Sequence, residues 1–301
     1  MKILLLGKNG QVGWELQRSL APLGHVTALD RKGCLGLCGD LKDLDAIAAT
    51  IRVLKPDIIV NAAAYTAVDG AESEAQLARC INTDAPGVLA REASAIGAWL
   101  IHYSTDYVFD GSGSLPWSED AATNPLSVYG LTKRDGETAV LASGARAVII
   151  RTSWVYAARG QNFAKTMLRL AAERVALNVV ADQFGAPTGA ELIADVTAHI
   201  ISQVSTRDDA RELAGVYHLA AAGETNWHGY AQFVLEHAGR QGWPLKVAAE
   251  QIGAIQTEDY PLPAARPRNS RLNLDKLEEA FNLKMPPWQL GVQRMLDEIQ
   301  R

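Results

Sequence analysis

Long apolar runs, basic stripes and paired cysteines are all missing from this chain of 301 residues. No stretch approaches the roughly 18 consecutive apolar residues that a membrane-spanning helix needs. The opening Met1 to Leu6 is too short for the apolar core of a secretion signal, so the expectation is a cytoplasmic protein without membrane contact. Lys and Arg total 29 against 34 Asp and Glu, a net charge of -5, and no cluster of them forms a basic track. Nucleic acid is therefore not an expected partner, and an anionic ligand must be met by individual Arg and Lys side chains and by helix ends. Cys34, Cys38 and Cys80 are an odd number without CxxC spacing or neighbouring histidines, which excludes a disulfide framework or a zinc site and leaves reduced packing residues. The six histidines show no triad or metal spacing, and His102, inside an apolar run, reads as a hydrogen-bonded core residue rather than a base. No internal repeat or low-complexity tract is present.

What the chain does have is 48% hydrophobic residues, ample for a sizeable core, arranged as alternating short apolar runs and helical periods. The first half predicts strands over 3–6, 25–30, 57–61, 99–104 and 147–152, with helices over 12–20, 44–54, 72–96 and 129–141. Such alternation gives an α/β fold of the Rossmann type, a doubly wound parallel sheet. Ligands of that architecture lie at the carboxyl ends of the strands, where Gly7, Asp30, Asn61 to Thr66, Ser104 to Tyr107 and Ser153 to Tyr156 gather. The second half is less regular, with helices predicted over 162–174, 190–204 and 227–239 and a strand over 216–220. It fits a smaller α/β substrate domain. The expected division is 1–152 for the dinucleotide-binding domain, which the chain revisits around 180–205, and 153–301 mainly for substrate.

The first motif is Gly7-Lys8-Asn9-Gly10-Gln11-Val12-Gly13, set directly between a buried strand and a helix. Glycines at such a turn permit positive φ and close backbone approach, while free N–H groups and the helix dipole favour a dinucleotide's pyrophosphate. Asp30 closes the second strand, where a carboxylate would bond a ribose 2′-hydroxyl and disfavour a 2′-phosphate. Arg31 and Lys32 follow at once and could pair with that phosphate, so NADH and NADPH are both expected cofactors. Asp40, with Leu41 behind it, suits the adenine edge or, equally, a helix N-cap.

The second motif is Tyr129-Gly-Leu-Thr-Lys133, whose spacing puts both side chains on one helix face. A free tyrosine protonates an alkoxide poorly, and a lysine ammonium beside it is expected to lower the phenol toward neutrality. Lys133 would also bond the nicotinamide ribose. Thr105, at a strand end, could donate to a substrate carbonyl oxygen; Ser104 is the neighbouring alternative, and only one of the two can face the site.

These motifs, together with Asn61-Ala-Ala-Ala-Tyr-Thr-Ala-Val-Asp69 and Ser104-Thr-Asp-Tyr-Val-Phe109, resemble the extended short-chain dehydrogenase/reductase superfamily. Within it the chain is similar to the dTDP-4-dehydrorhamnose reductase family, through Arg151-Thr-Ser-Trp-Val-Tyr156, Asn162-Phe-Ala-Lys-Thr-Met167, Asp182-Gln-Phe-Gly-Ala-Pro-Thr188 and Arg266-Pro-Arg-Asn-Ser270. The resemblance implies NAD(P)H-dependent reduction of the 4-keto group of a nucleotide-sugar substrate, dTDP-4-dehydro-L-rhamnose, to dTDP-L-rhamnose. It implies Tyr129 as proton donor, Thr105 polarising the oxygen and Lys133 tuning Tyr129. By position in the motifs, Gly10, Gln11 and Val12 would line the pyrophosphate, Asp30 the adenosine ribose, and Asp40 and Leu41 the adenine. Ala63, Ala64, Tyr65 and Thr66 would border cofactor and sugar, with Tyr103 near the cofactor, and Val68, Asp106, Tyr107 and Trp154 would contact substrate. Tyr65 departs from the family pattern, where a histidine is expected, and so does the stretch from Arg31 to Gly39. Relatives form homodimers and associate with Mg2+, for which Glu15 and Glu191 are acidic candidates, although two separated glutamates are no diagnostic ligand set. Arg266 or Arg268 would close the nucleotide site, or the segment is only a turn. An epimerase or dehydratase would share the cofactor motifs, but a dehydratase is expected to carry an acidic pair after the threonine, and here Tyr107 follows Asp106. A non-catalytic regulatory subunit is the reading of another class, against which the intact Thr105, Tyr129 and Lys133 speak.

Overall fold

The computed structural model describes residues 1–300. Its first half runs β1 (Lys2–Leu6), α1 (Gln11–Leu20), β2 (His25–Leu29), α2 (Leu44–Leu54), β3 (Ile58–Asn61), α3 (Val68–Ser73), α4 (Ala75–Arg79), α5 (Ala85–Ile96), β4 (Trp99–Thr105), α6 (Val128–Ala142) and β5 (Arg146–Thr152). The second half adds β6 (Val155–Tyr156), α7 (Phe163–Glu173), β7 (Asn178–Val180), β8 (Phe184–Gly185), β9 (Thr188–Gly189), α8 (Ala190–Thr206), β10 (Gly215–His218), β11 (Thr225–Asn226), α9 (Trp227–Arg240), β12 (Gly253–Ile255), α10 (Asp275–Phe281) and α11 (Trp288–Gln300).

Six strands form one sheet in the order β10-β5-β4-β3-β1-β2, every neighbouring pair parallel. The chain's strands are apolar on both faces because helices cover both sides. Ile3, Leu5, Val60, Ile101, Val148 and Ile150 point to the layer of α1, α8 and α10, where Leu16, Ile193, Ile200 and Phe281 meet them. Leu4, Leu6, Ile59, Leu100 and Ile149 point to the layer of α2, α5 and α6, against Ile47, Leu89 and Val140. The order reverses between β1 and β3, so the carboxyl ends of these two strands open the crevice of this α/β Rossmann-type fold. A second apolar cluster, built on Met167, Val179, Tyr230, Val234, Trp288 and Leu296, joins α7, α9 and α11.

Two sequence expectations need correction. The helix predicted over 72–96 is three helices: it breaks at Glu74, and a π-helical turn at Cys80–Asp84 separates α4 from α5. Pro86 lacks the N–H that an uninterrupted helix would use, and it sits in the first turn of α5, where that loss costs nothing. The strand predicted over 216–220 is Gly215–His218 and extends the main sheet beside β5, so the chain returns to the large sheet later than 205 as well. The two- and three-residue pairs β6–β9, β7–β12 and β8–β11 carry no readable period. No helix of the described residues is long and apolar enough to cross a membrane.

Candidate active site

At the crevice, Gly7 adopts φ +86, and a Cβ there would lie 2.7 Å from the Ala63 nitrogen, so only glycine fits between β1 and the loop after β3. A Cβ on Gly13 would lie 2.1 Å from the Gly7 carbonyl oxygen, which lets α1 close on the turn. Gly10 caps α1 without a side-chain acceptor, leaving the first-turn N–H groups of Gln11, Val12 and Gly13 for an outside anion. The Gln11 side chain itself donates to the Gln161 carbonyl at 2.7 Å, and Arg159 lies 3.7 Å over the Trp14 ring, so the segment after β6 folds across the start of α1.

Asp30 lies at the end of β2, beside that turn. Its carboxylate accepts from Asn9 Nδ2 at 2.8 Å and from the Lys32 backbone N–H at 2.9 Å, with Lys8 Nζ at 3.9 Å. The Lys32 amide above all holds its carboxyl below the ordinary range. Arg31 and Lys32 are exposed. The cap of α2 is Asp43, which accepts from Ala46 N at 3.0 Å, so the helix-cap reading of Asp40 does not hold; Asp40 accepts from Lys42 N at 3.1 Å instead. Leu41 is buried with Leu29 and Ile47 and supports this end of the site from beneath.

The loop from Ala62 to Thr66 is fixed from two sides. Asn61, fully buried, accepts from Ala63 N at 3.2 Å and bonds His102 Nδ1 at 3.1 Å. Asn82, in the π-helical turn, exchanges two bonds with the Tyr65 backbone, 2.9 Å from its N–H and 3.0 Å to its carbonyl, and reaches Thr132 Oγ1 at 3.2 Å. Ala63 and Ala64 stay half-buried and Thr66 exposed. Tyr65 turns its hydroxyl to Glu74 at 2.5 Å, over Gly70, where any Cβ would lie 2.6 Å from that oxygen. Val68, at the start of α3, is half-buried beside Asp69.

Thr105 and Tyr129 come together, and Lys133 lies one turn further along α6. Ser127 caps α6 by accepting from Gly130 N at 3.2 Å, and a Cβ on Gly130 would lie 2.2 Å from the Tyr107 carbonyl oxygen, so the first turn of α6 seats directly on the segment after β4. The Tyr129 ring meets Tyr107 edge-on at 5.6 Å, and its hydroxyl faces the Thr105 side chain. Thr105 also donates to Asp106 at 3.1 Å and accepts from Tyr107 N at 3.2 Å. Ser104 is buried on the other face without a partner, so of the two neighbouring hydroxyls Thr105 joins the tyrosine. Lys133 is buried and donates to the Tyr103 carbonyl at 2.6 Å, while the Tyr103 hydroxyl pairs with Thr197 of α8 at 2.7 Å. Tyr103 therefore offers the α6 side of the sheet its carbonyl, not its ring.

The electrostatics correct one expectation. Burial pushes the Tyr129 phenol up to about 12; the Thr105 hydroxyl opposes the rise and the Asp106 carboxyl adds to it. Lys133 does not lower it: burial pulls the ammonium itself down to about 8, against the pull of Glu137, so it loses its proton before the phenol does. Asp106, buried and bonded to Thr105, is pushed up to about 6 by desolvation, against the pull of the Ser270 and Thr105 hydroxyls. Burial, reinforced by Lys133, holds His102 well below its ordinary value, so it is a neutral core residue. Behind Lys133, Glu137 forms a two-pronged pair with Arg151, at 2.9 and 2.7 Å, with both side chains almost wholly buried.

At the far end of the crevice Trp154 has φ +50 and stacks on Trp227 with centroids 3.7 Å apart. A bulky residue in that backbone region costs roughly 1–3 kcal/mol and persists only where its surroundings determine it. Arg266 donates to Asp69 at 2.7 Å, faces the Tyr107 ring at 5.9 Å, and keeps one buried guanidinium nitrogen, Nη1, without a partner. Arg268 pairs instead with Asp182 at 3.3 Å and with Glu258.

The model of the RmlD substrate binding domain matches residues 1–301. The chain belongs to the RmlD substrate binding domain family. A dTDP-4-dehydrorhamnose reductase of Escherichia coli K12 is 55% identical over 299 residues, covering 99% of this chain and 98% of its own. Among solved structures, a dTDP-4-dehydrorhamnose reductase of Clostridium acetobutylicum is 34% identical with a TM-score of 0.88 over the whole of both chains. That of Bacillus anthracis, in complex with NADP, is 33% identical with a TM-score of 0.87 over 99% of each.

Several residues that build this RmlD-family site carry no motif. Asn82 lies in what reads as mid-helix, although the polar Asn82-Thr83-Asp84 ahead of Pro86 is a usable break signal. Trp227 and Glu137 are joined to the site only by tertiary contacts. Glu15 and Glu191 pair with Arg18 at 3.6 Å and Arg294 at 3.3 Å, and among the described residues no three His, Cys, Asp or Glu side chains gather as a metal site.

Proposed function

We propose that this protein reduces the 4-keto group of dTDP-4-dehydro-L-rhamnose to dTDP-L-rhamnose with NADPH or NADH. The observation that supports this reading is Tyr129 beside Thr105, with Lys133 one turn along the same helix, in a chain aligned over nearly its full length with reductases of that name.

The residues present fit a nicotinamide dinucleotide. The cradle of Gly7, Gly10 and Gly13 and the uncapped start of α1 would hold the pyrophosphate through Gln11 and Val12 N–H groups. Asp30 would hold the adenosine ribose and Asp40 the adenine, with Leu41 beneath; the exposed Arg31 and Lys32 are free to meet a 2′-phosphate, which supports use of both cofactors. Lys133 would bond the nicotinamide ribose. Bound there, the nicotinamide supplies the hydride.

The chain's own groups handle the oxygen and the proton. Thr105 donates a hydrogen bond to the carbonyl oxygen, and Tyr129 gives up its phenolic proton as that oxygen becomes an alkoxide. A phenol near 12 enters the step fully protonated and is still a far stronger acid than the secondary alcohol it produces. Lys133, one turn along α6 and still charged below about pH 8, would stabilise the phenolate once it forms. Ala63, Ala64, Tyr65, Thr66 and Val68 border the sugar on one side and Tyr107 and Trp154 on the other. Asp106 acts from beneath Thr105, since its side chain is turned into the fold. Arg266, with one free buried nitrogen, would meet the substrate's diphosphate.

The larger parallel layer, 1–152 with α8, serves as the dinucleotide-binding domain, and the cluster of α7, α9 and α11 supports the substrate domain. The substrate and cofactor are metabolites of the cytoplasm, which is the proposed setting. The homodimer that the resemblance implies would cover apolar surface such as Leu290 of α11. The test is NADPH oxidation on mixing with freshly made keto sugar. Net cofactor loss supports a reductase, and conversion of sugar without net loss would show an epimerase.

A further inference from the structure

Trp154 stands apart from the other non-glycine residues with positive φ. Lys55 and Asn282 terminate helices and Leu35 lies in a tight turn, all ordinary places for that conformation. Trp154 instead leaves β5 two residues after Thr152, which pairs with Thr105 across the sheet, so its strained backbone lies on the same carboxyl edge as the catalytic threonine.

Three contacts determine the ring. One face stacks on Trp227 at 3.7 Å and 14°. Trp227 is in turn fixed by its indole N–H, which donates to Gln183 Oε1 at 3.1 Å, and by the Phe163 ring at 4.6 Å. The edge lies over Gly185, where an added Cβ would be 2.8 Å from Trp154 Cε2 and 3.1 Å from both Cζ2 and Nε1. The β8–β11 pairing sets Thr225 opposite Gly185, which brings Trp227, the residue that follows β11, beside it. Trp154 itself stays half-exposed. An indole with one face covered and its edge wedged offers its other face, and a deoxyhexose presents apolar C–H groups that suit it.

We infer that Gly185 and Trp227 are positioning residues that hold the Trp154 indole as a platform for the substrate's sugar ring. The inference rests on the reductase reading. Gly185 contributes by having no side chain, and Trp227 by backing the ring.

The experiment compares Gly185→Ala, Trp227→Leu and Trp227→Phe in the full-length protein. KM and kcat for the keto sugar, NADPH affinity by fluorescence, and the far-ultraviolet circular-dichroism couplet of stacked indoles are read together. Gly185→Ala and Trp227→Leu should raise KM about tenfold with kcat and NADPH affinity within about twofold, the pattern of lost uniform binding. Both should lose the couplet. Trp227→Phe keeps a ring behind Trp154 and should restore KM to within about threefold of wild type, as expected if ring backing is what matters. Wild-type KM in Gly185→Ala, or a loss confined to kcat, overturns the inference even if Trp227→Leu fails to fold. A wild-type protein that binds NADPH but leaves the keto sugar untouched overturns the reductase reading instead, and the two failures differ because the couplet still reports whether Gly185→Ala displaces the ring.

Discussion

Removing one oxygen at Tyr129 separates catalysis from binding. Tyr129→Phe keeps the edge-on contact with Tyr107 and leaves Thr105 with its Asp106 partner, so no buried hydroxyl is orphaned. The stability change should therefore stay near the value of a single hydrogen bond, about 1 kcal/mol, less the relief of a phenol that was costly to bury. The loss in turnover should be far larger. General-acid catalysis contributes roughly 10²- to 10⁴-fold, or about 3–5 kcal/mol of barrier at 1.36 kcal/mol per decade. The assay is the decline of NADPH absorbance with keto sugar at saturation, alongside NADPH titration by fluorescence and a melting curve. The expected result is a fall in kcat of at least about a hundredfold with cofactor affinity and melting temperature nearly unchanged. A variant that retains more than half of wild-type turnover refutes the assignment of Tyr129 as proton donor, since no other group bonded to Thr105 and open to the crevice could take over unaided.

The other expectations are brief. Lys133→Met should lower both kcat and NADPH affinity, because the ammonium serves ribose and phenolate alike; loss of turnover with intact cofactor binding would remove the ribose contact from the account. Asp30→Ala should shift the ratio of kcat/KM toward NADPH by about tenfold, the worth of one charge-assisted hydrogen bond, and an unchanged ratio would contradict its role. Burial places Lys133 near 8 in the fold against an ordinary 10.5, so the native chain holds fewer protons than the unfolded one between those values. This group then adds stability as pH rises through that window, while NADPH affinity should weaken above about pH 8 as the charge is lost; affinity flat to pH 10 would contradict the sign. Glu137→Gln leaves the Arg151 guanidinium buried without its counter-charge, and thermal or urea unfolding should show a loss of about 3–5 kcal/mol.

The strands and the glycine turn were legible because buried parallel strands are short continuous apolar runs, and a turn with φ +86 has few residue choices. The placement of Thr105 at a strand end and of Tyr129 and Lys133 on one helix was legible because helix spacing and strand ends fix where side chains go before any packing is known. What stayed hidden depends on packing. The apolar period from Glu72 to Ile96 continues through the π-helical turn, so it masks the break that delivers Asn82 to the Tyr65 loop. The two-residue strands β8 and β11 have no period, yet they set Trp227 against Trp154. The sign of the Tyr129 shift depends on packing too: spacing puts Lys133 one turn away, and only the folded chain shows how deeply both groups are buried. The Tyr65 ring is accommodated by Gly70 beneath and Glu74 at its hydroxyl.

The most direct test is to supply freshly generated dTDP-4-dehydro-L-rhamnose and NADPH to the purified protein, count the cofactor oxidised, and identify the sugar by NMR. One NADPH consumed for each dTDP-L-rhamnose formed is the predicted result. Bound NADPH that is not oxidised, or a product other than the 4-reduced sugar, would contradict the account.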